Sequence, residues 1–164
     1  MVKRNTFDRQ IFKAKAVGLH ASLLIFLLFF TIEIHAQDFY TGFFSDLALG
    51  GYDAVSYFEK GEAEKGQKQF EVEYGGVKWR FHSEAHRQEF KRFPEKYLPQ
   101  YGGYCAWAVS EKKSRAAGDP EYWKIVDGKL YLNYDRKVQE LWLQDIPGHI
   151  ERADLHWPQM QNRE

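Results

Sequence analysis

At 164 residues the chain is long enough for one domain with a sizeable core, and 13 Phe, 10 Tyr and 5 Trp supply bulky side chains to fill it. That composition excludes a largely disordered chain. The formal charge is zero, yet from Gln37 onward 18 basic residues face 21 acidic ones with no basic run, which argues against a nucleic-acid-binding surface.

The first 36 residues have the make-up of an export signal. Lys3, Arg4, Arg9, Lys13 and Lys15 form a positive region, Ala16 to Ile32 an apolar one, and Ile34-His35-Ala36 a cleavage site before Gln37. The apolar run is interrupted by Gly18, His20 and Ser22 and is short for a span of roughly 20 residues. An uncleaved signal anchor is the alternative, and it would be the only attachment to a membrane. Both readings place the domain outside the cytoplasm, periplasmic or secreted. Cys105 is then the sole cysteine in a compartment where disulfides persist, and no internal bridge can form.

Residues 37–46 read as a lead-in, 47–158 as the domain and 159–164 as a tail. Leu47 to Phe58 is a short strand or a helical turn, which period alone does not separate. A charged loop, Lys60 to Lys68, then leads into a hairpin. Its turn, Gly75-Gly76, pairs Tyr74 with Val77, Glu73 with Lys78, Val72 with Trp79, Glu71 with Arg80 and Phe70 with Phe81. One face of that hairpin is apolar, and the other carries two opposite-charge pairs.

Ser83 is placed to cap a helix with Glu84 in its first turn, Phe90 and Phe93 on its apolar stripe and Pro94 at its end. Glu95 to Gln100 adds at most a turn. Tyr101 to Ser110 follows, with Gly102-Gly103 permitting close backbone approach, and Glu111 to Pro120 is a polar loop. A second hairpin turns at Asp127-Gly128 and aligns Trp123, Ile125, Leu130 and Leu132 on one face. Asp135 caps the next helix, with Val138, Leu141 and Trp142 at helical spacing. A last helix takes up Ile146, Ile150, Ala153 and Trp157 and ends at Pro158. No repeat and no low-complexity tract is evident. The fold class is α+β: two antiparallel β-hairpins, a short helix after the first and helices at the C-terminus.

Few residues offer chemistry. His82 and His86 lie four apart at a strand-to-helix junction, where two imidazoles approach each other and a helix N-terminus keeps them neutral. Imidazole suits zinc and copper, but zinc takes three or four protein ligands, and Cys105 is the natural third candidate. The plainer reading leaves His82 at an exposed strand end and His86 on the surface. Cys105 is a metal ligand, a reactive thiol or a small buried hydrophobe; its apolar neighbours Tyr104, Ala106 and Trp107 would raise its pKa. His149 and His156 are expected to be exposed on the last helix and receive no role. No acid/base dyad, phosphate loop or Ser-His-Asp order is present, so enzymatic activity rests on the thiol alone.

Phe81-His82-Ser83-Glu84-Ala85-His86, with Phe90 and Pro94-Glu95-Lys96-Tyr97-Leu98, resembles the YHS domain, named for a Tyr-His-Ser triplet. The wider run includes Gly51-Tyr52-Asp53-Ala54-Val55, Tyr101-Gly102-Gly103-Tyr104-Cys105-Ala106, Trp123 to Tyr134 and Asp145-Ile146-Pro147-Gly148. It is similar to secreted bacterial proteins that carry this domain, from about Leu47 to Trp157. In YHS modules of metal-handling proteins the resemblance implies three cysteine ligands, which fall here on Ser56, His82 and His86. Two imidazoles in place of thiolates would shift preference from Cu(I) to Zn(II) or Cu(II).

The readings are therefore a divalent-metal (Zn or Cu) binding module using His82 and His86, with Cys105 as a third ligand; a metal-free scaffold serving an unknown protein partner; and a thiol redox protein using Cys105.

Overall fold

The protein, described by a computed structural model over residues 38–161, is built from two successive copies of one α+β unit. The first opens with a 3-10 turn at Ala48–Gly51 and continues through α1 (Ser56–Glu59), the hairpin β1 (Gln67–Tyr74) and β2 (Val77–Phe81), then α2 (Glu84–Arg92) and α3 (Pro94–Tyr97). The second opens with a 3-10 turn at Gln100–Gly103 and runs through α4 (Ala106–Lys112), β3 (Asp119–Val126), β4 (Lys129–Asn133), α5 (Arg136–Leu143) and α6 (Ile146–Gln161). The export segment expected at residues 1–36 lies outside the described residues. Among those described, no helix is long and apolar enough to cross a membrane.

The two units superpose in numbering at a constant offset of 52 positions, as from Gly66 to Gly118, and this holds for both strands of each hairpin. Leu47 bridges in parallel to Lys78, and Pro99 bridges in parallel to Leu130. Tyr52 pairs with Lys65, and Tyr104 with Ala117. The helix caps correspond as well: Ser83 Oγ accepts from the His86 N–H at 3.2 Å, and Asp135 Oδ1 accepts from the Val138 N–H at 2.8 Å.

The absence of repeats expected from the sequence is therefore corrected. Identity between the halves is confined to a few positions: the glycines Gly50/Gly102, Gly51/Gly103, Gly66/Gly118 and Gly76/Gly128, and the pairs Tyr52/Tyr104, Ala54/Ala106, Glu59/Glu111 and Lys60/Lys112. Backbone geometry explains the glycine matches. Leu49, Gly50 and Gly51 have φ of 52°, 56° and 81°, and Tyr101, Gly102 and Gly103 have 53°, 61° and 86°. Such a left-handed run is affordable chiefly where glycine removes the Cβ clash.

Both hairpins form, each as a separate two-stranded antiparallel sheet. The first holds four of its five expected pairs, but Phe81 faces Gln67 instead of Phe70 because the register shifts between Gln67 and Glu71. The second hairpin aligns Trp123 with Leu132 and Ile125 with Leu130, and it shifts at the equivalent place, between Asp119 and Trp123. Burial on both faces makes β4 the divider of the core. Leu130 and Leu132 pack with Trp79, Phe81, Phe90 and Tyr97 in one cluster. Tyr131, on the opposite face, packs with Trp142, Val109 and Ala153 in another.

Phe90 is the hub of the first cluster, its ring centroid 5.1 Å from that of Trp79 and 5.0 Å from that of Phe81. Phe93, expected beside it, is exposed, because its backbone leaves the helix at φ −138°, ψ 58°. Tyr97 of α3 fills that place instead. Pro158 does not end the last helix, which runs on to Gln161 and buries Met160. On the other side, Phe39 of the lead-in packs edge-on against Trp79, so the ordered body extends beyond 47–158 at both ends.

Candidate functional site

The junction of β2 and α2 is organised by Asp53, a carboxylate with no exposed surface in a stretch otherwise apolar or neutral. Oδ1 accepts from the N–H groups of Val55 at 2.8 Å and Ser56 at 3.3 Å, which tightens the entry to α1. Oδ2 accepts from the His82 N–H at 2.7 Å and lies 2.7 Å from His86 Nδ1. A buried charge is tolerated only when its lone pairs are filled, and four donors fill these. The Asp53 backbone N–H in turn donates to the Glu64 carbonyl at 2.8 Å.

The Asp53 contact fixes the tautomer and tilt of His86. With Nδ1–H directed at the carboxylate, Nε2 is left as the free nitrogen, on a side chain 16% exposed. His82 is exposed, and its ring centroid lies 6.3 Å from that of His86. Ser56 is buried and donates from Oγ to Glu64 Oε2 at 2.8 Å, while Lys60 Nζ reaches the same oxygen at 2.7 Å. The Lys60 ammonium, then the Ser56 hydroxyl, hold the Glu64 carboxyl below its usual range, and burial opposes them more weakly.

Cys105 is not part of this group. It is fully buried, its Sγ 3.9 Å from Asn133 Oδ1, and no three His, Cys, Asp or Glu side chains among the described residues are grouped to hold a metal. The internal repeat gives the reason. Cys105 sits at the position equivalent to Asp53, and its sulfur faces the N–H groups of Trp107, Ala108 and Tyr134, the counterparts of Val55, Ser56 and His82. Burial pushes the thiol up, and those N–H groups pull weakly the other way. Cys105 thus fills the same place in the second unit and cannot also complete a site in the first.

His149 is buried, contrary to the sequence expectation, while His156 Nδ1 lies 3.1 Å from the Val109 carbonyl. Ser110 Oγ, Glu111 Oε1 and Arg152 Nη2 all lie 3.0 Å from His149 Nδ1. A serine nucleophile needs its base and the orienting carboxylate on opposite ring nitrogens. Crowding on one nitrogen makes this cluster a latch between α4 and α6. Its counterpart in the first unit is the Tyr97 hydroxyl, 3.3 Å from Glu59 Oε1.

Sequence reasoning missed Asp53 as the organiser. The available signal was a lone acid inside the uncharged run Leu47 to Phe58, since a charge carried into a core must be met by donors. No family model, no curated protein and no solved structure matches the chain.

Proposed function

We propose that the chain is an exported, YHS-like binding module that holds a divalent transition-metal ion, zinc or copper, in an open site made by His82 and His86. One observation carries the reading. The three positions where the YHS resemblance implies ligands all meet the single Asp53 carboxylate, Ser56 and His82 through their backbone N–H groups and His86 through ring Nδ1.

A buried carboxylate behind Nδ1 is the usual support of a metal-binding imidazole, because it orients the ring and makes the other nitrogen more basic. Two imidazoles on one ion have centroids roughly 5–6.5 Å apart, given bonds of about 2.0–2.1 Å. The observed separation falls within that span. Ser56 is turned to Glu64 and adds no soft donor, so water or a partner molecule completes the coordination. The imidazole pair favours Zn(II) or Cu(II) over Cu(I).

Untagged protein incubated with zinc or copper and desalted is expected to retain near-stoichiometric metal, and His82→Ala to lower that content sharply. His82 is exposed, so this substitution leaves the Asp53–His86 bond in place. Metal content unchanged in both His82→Ala and the His82→Ala/His86→Ala double variant would remove the proposal.

A metal-free, partner-binding module is the second reading. It is favoured by Phe43 and Phe44, which are 92% and 96% exposed at the tip of one loop with their ring centroids 4.8 Å apart. It predicts no retained metal, together with loss of partner capture in Phe43→Ser/Phe44→Ser. The thiol reading gains nothing from a sulfur sealed in the core.

A further inference from the structure

The register position just after the second strand of each hairpin carries an exposed ring in both units, His82 in the first and Tyr134 in the second. Tyr134 lines a cleft of about 480 Å³ whose walls come from both units and from the lead-in. That volume lies within the roughly 300–1,000 Å³ of small-ligand pockets. Gly50, Tyr52 and Lys65 belong to the first unit, Ala117 to Pro120 and Tyr134 to the second, and Tyr40 to Gly42 to the lead-in.

The lining narrows the chemistry of an occupant. Lys65 Nζ sits over the Tyr52 ring, 3.7 Å from its centroid, and reaches the Gly50 carbonyl at 3.3 Å. Its charge disfavours an organic cation. Asp119 also lines the cleft, with Oδ1 taken by the Glu121 N–H at 2.8 Å, and Glu121, outside the lining, receives the Tyr52 hydroxyl at 2.7 Å. The Asp119 carboxylate disfavours an anion. A ligand without net charge remains, and the Tyr134 ring with the hydrogen-bonding groups of Thr41, Lys65 and Asp119 fits one that has an apolar face and a rim of hydroxyls.

We infer that this cleft binds a neutral saccharide of one or two rings. The half-exposed Tyr134 ring serves as the stacking platform, and the Asp119 carboxylate accepts hydroxyls from the sugar. Lys65 and the Thr41 hydroxyl donate at the rim. The aromatic face supplies contact area at low conformational cost, and the paired charges of opposite sign supply directional hydrogen bonds without favouring an ionised ligand. The site is independent of any metal at His82 and His86.

The probes are cellobiose, maltose and N,N′-diacetylchitobiose, each at about 10 mM, a range that detects affinities as weak as millimolar. Saturation-transfer NMR on the full chain is expected to show transfer to the ring protons of at least one of them. Tyr134→Ala and Asp119→Asn are each expected to weaken that binding about tenfold, with the thermal midpoint of Tyr134→Ala unchanged because the side chain is exposed. No transfer from any of the three sugars overturns the inference, as does binding that survives both substitutions. Stronger binding of tetramethylammonium or of acetate than of every sugar overturns the assigned ligand class.

Discussion

Asp53 and Cys105 occupy the same position in two successive units, and each faces the backbone N–H groups of three equivalent residues, with the Trp107 N–H in the second unit donating to Asn133 Oδ1 at 3.4 Å. In the first unit the occupant is a carboxylate, with capacity left over to orient His86. In the second it is a thiol, and the residue at the place of His86 is Val138, which has no polar side chain to orient. One backbone cradle thus supports a polar junction in one half and a sealed apolar one in the other.

Removing the Asp53 carboxylate takes the acceptor from the Val55 and His82 N–H groups and from His86 Nδ1, while the Ser56 N–H keeps the Asp53 backbone carbonyl at 3.2 Å. Asp53→Ala should lower stability by about 3 kcal/mol or more, since each buried donor left unpaired costs roughly 1–3 kcal/mol. Urea unfolding checks this; a loss as small as that of a surface substitution would show that water replaces the carboxylate.

The Cys105 thiol should be silent to a thiol reagent in the folded protein and react fully on unfolding, because the sulfur has no exposed surface and burial raises its pKa. Cys105→Val should cost about 2 kcal/mol more than Cys105→Ser, which keeps an acceptor for the N–H cradle. Equal losses would mean that the sulfur acts only as filling volume.

Gly66 and Gly118 are related by the repeat, and each lies against the opposing strand. A Cβ at Gly66 would meet the Arg80 carbonyl carbon at 2.4 Å, and one at Gly118 would meet Gly103 O at 2.2 Å and Leu132 Cβ at 2.8 Å. Gly66→Ala and Gly118→Ala should each cost about 2–4 kcal/mol. Thermal denaturation of the two variants gives the comparison, and a neutral result at either would show that its hairpin stands off from the bridging segment.

Alkali should unfold the protein before all its tyrosines ionise. Hydrogen bonding to Glu121 pushes Tyr52 up to about 12, and the bond to Glu95 does the same for Tyr74. Burial pushes Tyr104 and Tyr131 to about 12 as well. A group held protonated in the fold stabilises it fully below its unfolded pKa of about 10 and less as pH rises from there to 12. Phenolate absorbance should therefore rise in two steps, the second coinciding with loss of circular dichroism; a single smooth titration would contradict the packing of these rings.

The local patterns were legible without coordinates. Alternation and the Gly75-Gly76 and Asp127-Gly128 turns located both hairpins, and Ser83 and Asp135 marked two helix starts, because periodicity and capping depend only on near neighbours in the chain. The apolar face of the second hairpin was also readable, as was the pairing of Glu71 with Arg80 and Glu73 with Lys78. What stayed hidden depends on contacts between distant segments. The shift that brings Gln67 opposite Phe81, the burial of His149 beside Ser110, and the separation of Cys105 from the two histidines are all of this kind. The repeat left only a faint trace in the sequence, Gly50-Gly51-Tyr52-x-Ala54 with Glu59-Lys60 recurring as Gly102-Gly103-Tyr104-x-Ala106 with Glu111-Lys112, because its two copies share a backbone path and few side chains. Cys105 looked like a third ligand for His82 and His86, yet the duplicated topology holds it in the second unit as the counterpart of Asp53.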